Sequence, residues 1–195
     1  RHAQLEVAVA IKFMDPSHAN SPVARQRFER EAKASATLRS THVVHVQDYG
    51  VFEDVPYIVM ELLQGEDLGR KLHRERRLSL GQASKILSQT ARGLRRAHEN
   101  GIVHRDLKPA NIFLSRADAS EDEEVVKILD FGIAKETASP LINDATKAGE
   151  LMGSPHYMSP EQIRGAADLD PRSDLWSLGV VIFRAVTGHM PFSGD

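Results

Sequence analysis

His104 to Asn111 reads HRDLKPAN, and Asp130 to Gly132 reads DFG. The first stretch crowds an acid, two cations and an amide around a proline; the second places another acid just past VVKILD, a run that reads as a short strand. Asn111 follows a turn and Asp130 ends a strand, so their oxygens can meet across a cleft as hard ligands. Mg2+ takes only one or two protein oxygens and fills its shell with water and phosphate, so the pairing points to a metal-nucleotide site.

Toward the N-terminus, Leu5 to Met14 (LEVAVAIKFM) alternates and is rich in β-branched residues, the pattern of a strand. In SPVARQRFEREAKASATLRS, Ser21 is suited to cap a helix and Pro22 to open it. Phe28, Glu31, Ala32 and Ser35 then recur at helical spacing, which puts an acid on the packing face. VVHVQDYGVF (43–52) and PYIVMELL (56–63) predict two more strands, with Glu53, Asp54 and Val55 as the turn between them. Residues 1–63 are therefore expected to form a small, β-rich lobe.

After QGEDL the character changes. Ser79 to Asn100 sets Ile86, Leu87, Thr90, Leu94 and Ala97 along one stripe, and Gly101 ends the helix. The acidic run Glu121 to Glu124 reads as a solvated loop between two short strands. Asp170 and Pro171 open a helix in which Leu175, Trp176, Leu178, Val180, Val181, Ile182, Phe183 and Val186 point almost all round, so it is expected at the centre of its lobe. Residues 64–195 thus read as a mainly helical lobe, and the whole as an α+β fold of two lobes forming one domain over 1–195.

The bulk numbers fit this and remove other classes. The chain has 195 residues, 41% hydrophobic and 27% charged, with a formal net charge of −2. That balance supplies no basic field for nucleic acid or an anionic membrane. There is no cysteine, which excludes disulfide and thiolate chemistry and suits a reducing cytoplasm. No apolar run reaches the length of a membrane span.

Together VAVAIK, YIVMELL, HRDLKPAN, DFG, GSPHYMSPEQ and SDLWSLGVVIF resemble, in order, the serine/threonine protein kinases, and most of all their bacterial eukaryotic-like (Hanks-type) branch. The resemblance implies a protein-kinase-like fold and transfer of the γ-phosphate of ATP to protein hydroxyls with Mg2+. By that resemblance Lys12 would hold the α- and β-phosphates and be positioned by Glu31, Asp106 would accept or orient the substrate proton, and Lys108 would stabilise the moving phosphoryl group. Asn111 and Asp130 would hold the metal. Met60 would be the gatekeeper, the Glu61 carbonyl and Leu63 N–H would bond adenine, and Val9, Ala10 and Phe113 would wall the ring. His104 and Phe131 are expected to pack, and Asp174 to cap backbone amides of the catalytic loop.

Regulation is expected through autophosphorylation of the loop after Asp130, with Thr146 the modified residue and Arg105 and Lys135 its phosphate partners. The implied partners are ATP, a serine- or threonine-bearing protein substrate, and a second copy of the chain in a homodimer for autophosphorylation. The expected location is cytoplasmic, on a parent that a membrane anchor could tether.

The sequence departs from the family in two places. No glycine precedes Lys12, so the glycine-rich loop over the phosphates is missing, and the chain stops at MPFSGD, short of the family's last helices. A truncated catalytic domain is the expectation, with the fragment's own activity in doubt for lack of that loop. The alternatives are a nucleotide-binding pseudokinase scaffold, disfavoured because Lys12, Glu31, Asp106, Asn111 and Asp130 are all present, and a small-molecule phosphotransferase, disfavoured by GSPHYMSPEQ.

Overall fold

The computed structural model describes residues 7–116, 124–131, 155–166 and 168–192. The chain opens with β1 (Val9–Phe13) and a short helix α1 (Pro16–Ala19), capped by Asp15. Helix α2 (Pro22–Thr37) starts as its sequence requires: the Ser21 hydroxyl accepts the Ala24 N–H and Pro22 sits in the first turn. Its buried residues are Phe28, Glu31, Ala32 and Ser35, the face expected from the spacing.

Strands β2 (Val46–Phe52) and β3 (Val55–Glu61) complete an antiparallel sheet of order β1-β3-β2. Its register sets Ala10 opposite Met60 and Lys12 opposite Ile58. Glu53 (φ 47°) and Asp54 (φ 63°) alone make the hairpin turn, both at positive φ as a two-residue loop demands. Val55, expected in the turn, is already the first residue of β3.

Strand β2 also starts later than the sequence suggests. Val43 forms a parallel bridge with Ile128, the Val44 N–H donates to the Ile128 carbonyl, and the Ile128 N–H donates to that of His42. These residues belong to the seam with the second lobe, whose sheet has the order β4-β5-β6. Its strands are β4 (Gly65–Asp67), β5 (Ile112–Arg116) and β6 (Glu124–Ile128).

Helix α3 (Leu68–Glu75) follows β4 directly, and α4 (Leu80–Glu99) carries a Ser79/Gln82 capping box and ends at Gly101, whose φ of 71° fits a glycine stop. Its buried residues are Ala83, Ile86, Thr90, Gly93, Leu94 and Ala97. Leu87 is 39% exposed instead of lying on that stripe, because it sits 100° around the helix from Ile86. Gly93 lets α4 close on the seam: a Cβ there would stand 2.8 Å from the His42 carbonyl oxygen and 2.7 Å from Ile128 Cδ1.

Two further helices follow, α5 (Pro160–Ile163) and α6 (Pro171–Thr187). Leu178, Val180, Val181 and Ala185 of α6 join the main core with Leu94, Leu107, Ile112, Ile128 and Phe131. A smaller core of Met14, Ala19, Phe28, Ala32, Val46 and Ile58 lies under the first sheet. Helix α6 is not covered all round, for Leu175, Trp176 and Phe183 are exposed among the described residues. Trp176 stacks on Phe192, with planes 5° apart.

Candidate active site

Three side chains from distant parts of the chain meet between the lobes. Lys12 Nζ donates to Glu31 Oε1 at 3.1 Å and to Asp130 Oδ1 at 2.7 Å. Strand β1 and helix α2 bring the first two together, and the end of β6 delivers the third. Asp130 has φ 48°, a left-handed conformation that an aspartate tolerates better than most side chains and that turns the chain sharply after the strand. The next residue, Phe131, is fully buried, its ring 4.8 Å from that of His104.

The catalytic-loop residues form a second cluster. Lys108 Nζ lies 3.0 Å from Asp106 Oδ2. Asn111 Nδ2 donates to the Asp106 carbonyl at 2.8 Å and approaches Asp106 Oδ2 at 3.4 Å. The Asn111 carbonyl accepts the Leu129 N–H, which ties this loop to the strand that presents Asp130.

Beneath them a polar lattice fixes the backbone. The Asp174 carboxylate is buried on α6 and accepts the N–H groups of His104 (2.8 Å) and Arg105 (2.9 Å) and His98 Nε2–H (2.7 Å). Arg105 is also held from its other side, where Gln162 Nε2 donates to its carbonyl at 2.7 Å, and its φ is 65°. His104 Nδ1 accepts the Asp106 N–H, so the proton sits on Nε2 and donates to the Leu129 carbonyl at 2.9 Å. Burial holds the His104 imidazole below its ordinary pKa, outweighing the nearby Asp174 carboxylate, so the ring is neutral.

Lys12 and Glu31 both titrate above their ordinary values. Burial pulls the Lys12 ammonium down, but Asp130 and then Glu31 outweigh it and raise the pKa. Glu31 is also raised, first by burial and then by Asp130 and Asp106, against the pull of Lys12. Asp130 thus acts on both groups, favouring the charge on Lys12 and opposing it on Glu31. An acid oxygen on Asp130 and the amide of Asn111 are the donors a hard cation takes. Among the described residues no group of three or more His, Cys, Asp or Glu side chains could hold a metal.

The residues expected to wall an adenine lie on β1, β3 and β5. Ala10 and Met60 are cross-strand partners, and Val9 faces Glu61. Phe113 lies on β5 opposite Lys127, and Leu63 is partly buried in the link between β3 and β4. One contact here has no sequence signal: the Glu61 carboxylate takes Lys127 Nζ and the His45 N–H, both at 2.7 Å, so the connection between lobes is clamped from either side. Gln162, His98 and Lys127 all went unread in the sequence because each acts through a single long-range contact without periodicity. Thr146, Lys135 and Gly132 lie outside the described residues.

Comparison with known proteins agrees with this fold. The protein kinase domain family model matches residues 1–195. The chain is 41% identical over 197 residues to serine/threonine-protein kinase pkn3 of Myxococcus xanthus, covering 100% of this chain and 36% of that protein. It is 39% identical over 199 residues to serine/threonine-protein kinase PknB of Mycobacterium tuberculosis, covering 100% of this chain and 30% of that one. The chain therefore spans about a third of the length of these curated relatives. Among solved structures, the Mycobacterium tuberculosis PknI kinase domain superposes with a TM-score of 0.76 at 28% identity, covering 99% of this chain and 69% of that one.

Proposed function

The chain belongs to the protein kinase family, and from that premise we propose that its parent protein transfers the γ-phosphate of ATP to serine and threonine hydroxyls of other proteins. The observation that carries this reading is Lys12 Nζ bridging Glu31 and Asp130 at 3.1 and 2.7 Å. A lysine held this way from both lobes is a preorganised cation for phosphate oxygens, set at a fixed place before substrate arrives.

The substrate hydroxyl oxygen bonds to the γ-phosphorus as the bond to the bridging oxygen breaks, and ADP leaves with that electron pair. Asp106 takes the hydroxyl proton on its carboxylate, and Lys108, 3.0 Å from it, faces the charge that develops on the transferring group. Asn111 and Asp130 would hold Mg2+, which when bound neutralises charge on the phosphates. Glu31 keeps Lys12 in place and touches no reacting atom. Ala10, Met60 and Phe113 enclose the adenine, and the Glu61 carbonyl and Leu63 N–H bond its edge.

Regulation through Thr146 is part of the proposal. Arg105 supports it: its backbone is pinned by Asp174 on one side and Gln162 on the other, a rigid base for a guanidinium that would pair with a phosphate on the following loop. Lys135 would be the second partner, and a homodimer would allow one copy to modify another. We place the domain in the cytoplasm; among the described residues no helix is long and apolar enough to cross a membrane.

The test uses the full-length protein with labelled ATP, Mg2+ and a generic protein substrate. Label on serine and threonine, lost on chelating the metal and in Asp106→Asn and Asp130→Asn, is expected. Failure to label any hydroxyl under any metal condition overturns the reading in favour of a scaffold. Phosphosite mapping that finds Thr146 unmodified, with Thr146→Ala fully active, rejects the regulatory part alone.

A further inference from the structure

A second polar cavity lies on the far side of the seam from the cleft. It has a volume of ≈ 390 Å³ and is lined by Thr41, His42, Lys85, Ser88, Gln89 and Arg92, with Glu124 and Val125 at its edge. Lys85, Ser88, Gln89 and Arg92 share one face of α4, and the two cations are two turns apart, about 10 Å along the axis.

Among the described residues the two cations that line this cavity are not matched by a free acid. Among the described residues neither Lys85 nor Arg92 has an ion-pair or hydrogen-bond partner, whereas Arg95 and Arg96 farther along the helix both meet Glu99. Among the described residues the acid at the edge is Glu124, which receives Lys71 Nζ on both oxygens, at 3.0 and 3.2 Å. Its backbone is engaged too, since Gln89 donates to the Glu124 carbonyl and accepts the Val126 N–H. His42 Nδ1–H donates to the Val126 carbonyl at 3.1 Å, so the proton is fixed there and the ring is held at the wall. What remains for a ligand is two cations, two hydroxyls and one imidazole edge.

We propose that this cavity binds the phosphate of a phosphorylated serine or threonine within a protein segment. A planar guanidinium paired with a point-charge ammonium and hydroxyl donors is the chemistry that recognises a phosphate monoester dianion. The volume exceeds that of a bare phosphate and leaves room for the side chain and adjoining backbone that carry it. The site is also connected to the cleft. His42 at its wall accepts the Ile128 N–H, and Ile128 lies two residues before Asp130. Occupancy therefore braces the strand that presents Asp130.

Binding needs no phosphoryl transfer, so it is measured on the full-length protein without ATP. Isothermal titration uses a capped phosphothreonine tetrapeptide, its unphosphorylated counterpart and inorganic phosphate. The phosphopeptide is expected to bind, to weaken as salt rises, and to lose about tenfold or more in affinity in the Lys85→Ala/Arg92→Ala variant. Both side chains are exposed on one helix, so the variant should melt where the parent does and keep its catalytic rate. Equal affinity for phosphopeptide and unphosphorylated peptide, or affinity unchanged in the double variant, overturns the site. Inorganic phosphate binding as tightly as the phosphopeptide overturns the protein segment as its ligand.

Discussion

The backbone N–H of His104 donates to Asp174 Oδ2 at 2.8 Å, joining the catalytic loop to a helix at the far end of the chain. Asp174 is 1% exposed, so its carboxylate oxygens are satisfied by three protein donors in place of solvent. Asp174→Asn replaces one acceptor oxygen with a donor that faces N–H groups. It is expected to destabilise the protein by about 2–3 kcal/mol, the range for a charged buried hydrogen bond left unmade. Chemical denaturation of both proteins measures it, and phosphoryl transfer should fall alongside because Arg105 and Asp106 lose their fixed backbone.

Lys12 and Glu31 act as a unit. Lys12→Met should lower kcat/KM by about 10²-fold or more, since a preorganised cation is removed from the phosphates. Glu31→Gln should cost much of the same, because its only role is to hold Lys12. The double variant should then cost little more than Lys12→Met alone, and additive losses would show that Glu31 has a separate task.

The neutral His104 makes stability depend on pH with a definite sign. Its folded pKa lies below the ordinary 6.5, so the unfolded chain binds the extra proton first. The stability it contributes is complete above about pH 6.5 and is lost as pH falls below that value, by up to about 1.4 kcal/mol per unit. Thermal or denaturant midpoints between pH 7 and pH 5 should fall less steeply in His104→Asn.

Gly93→Ala sets two effects against each other. Alanine favours a helix by about 1 kcal/mol over glycine. The new Cβ would stand 2.8 Å from the His42 carbonyl oxygen, a backbone atom pinned by its bond from Ile128 and unable to retreat. Overpacking of this kind costs about 1–3 kcal/mol, so a net loss of about 1 kcal/mol is expected by chemical denaturation, with more rapid hydrogen exchange in residues 42–44.

Lys127→Ala releases one side of the Glu61 clamp. The backbone next to Glu61, which we propose bonds adenine, then loses a restraint, and KM for ATP should rise a few-fold with kcat nearly unchanged. A fall in kcat at constant KM would instead give Lys127 a role in presenting Asp130.

Much of this site could be read from the sequence because its motifs are short and local. HRDLKPAN and DFG carry their offsets within a few residues, and the face of α2 that buries Glu31 follows from helical spacing alone. The resemblance pairs Lys12 with Glu31 alone, and no spacing rule shows that it also reaches Asp130, 118 positions away. Helix α3 was invisible for a physical reason. Between Leu68 and Leu72 it offers little apolar pattern, and Lys71, which reads as a surface cation, is 6% exposed and paired with Glu124. Tertiary ion pairing overrode what its composition suggests. The exposure of Leu175 and Phe183 was masked similarly, because an all-apolar helix does not reveal which neighbours cover it.

Helix α2 has one consequence beyond the pair it serves. Near its start Arg25 reaches the Asp54 carbonyl in the hairpin turn of the first sheet, and just past its end residues 42–44 are bonded to Ile128 of the second. The helix is a strut with one foot in each lobe. Any hinge motion that swings the small sheet downward must roll this strut about its rear foot, so the arrival of Lys12 and the orientation of Glu31 are geared to a single movement.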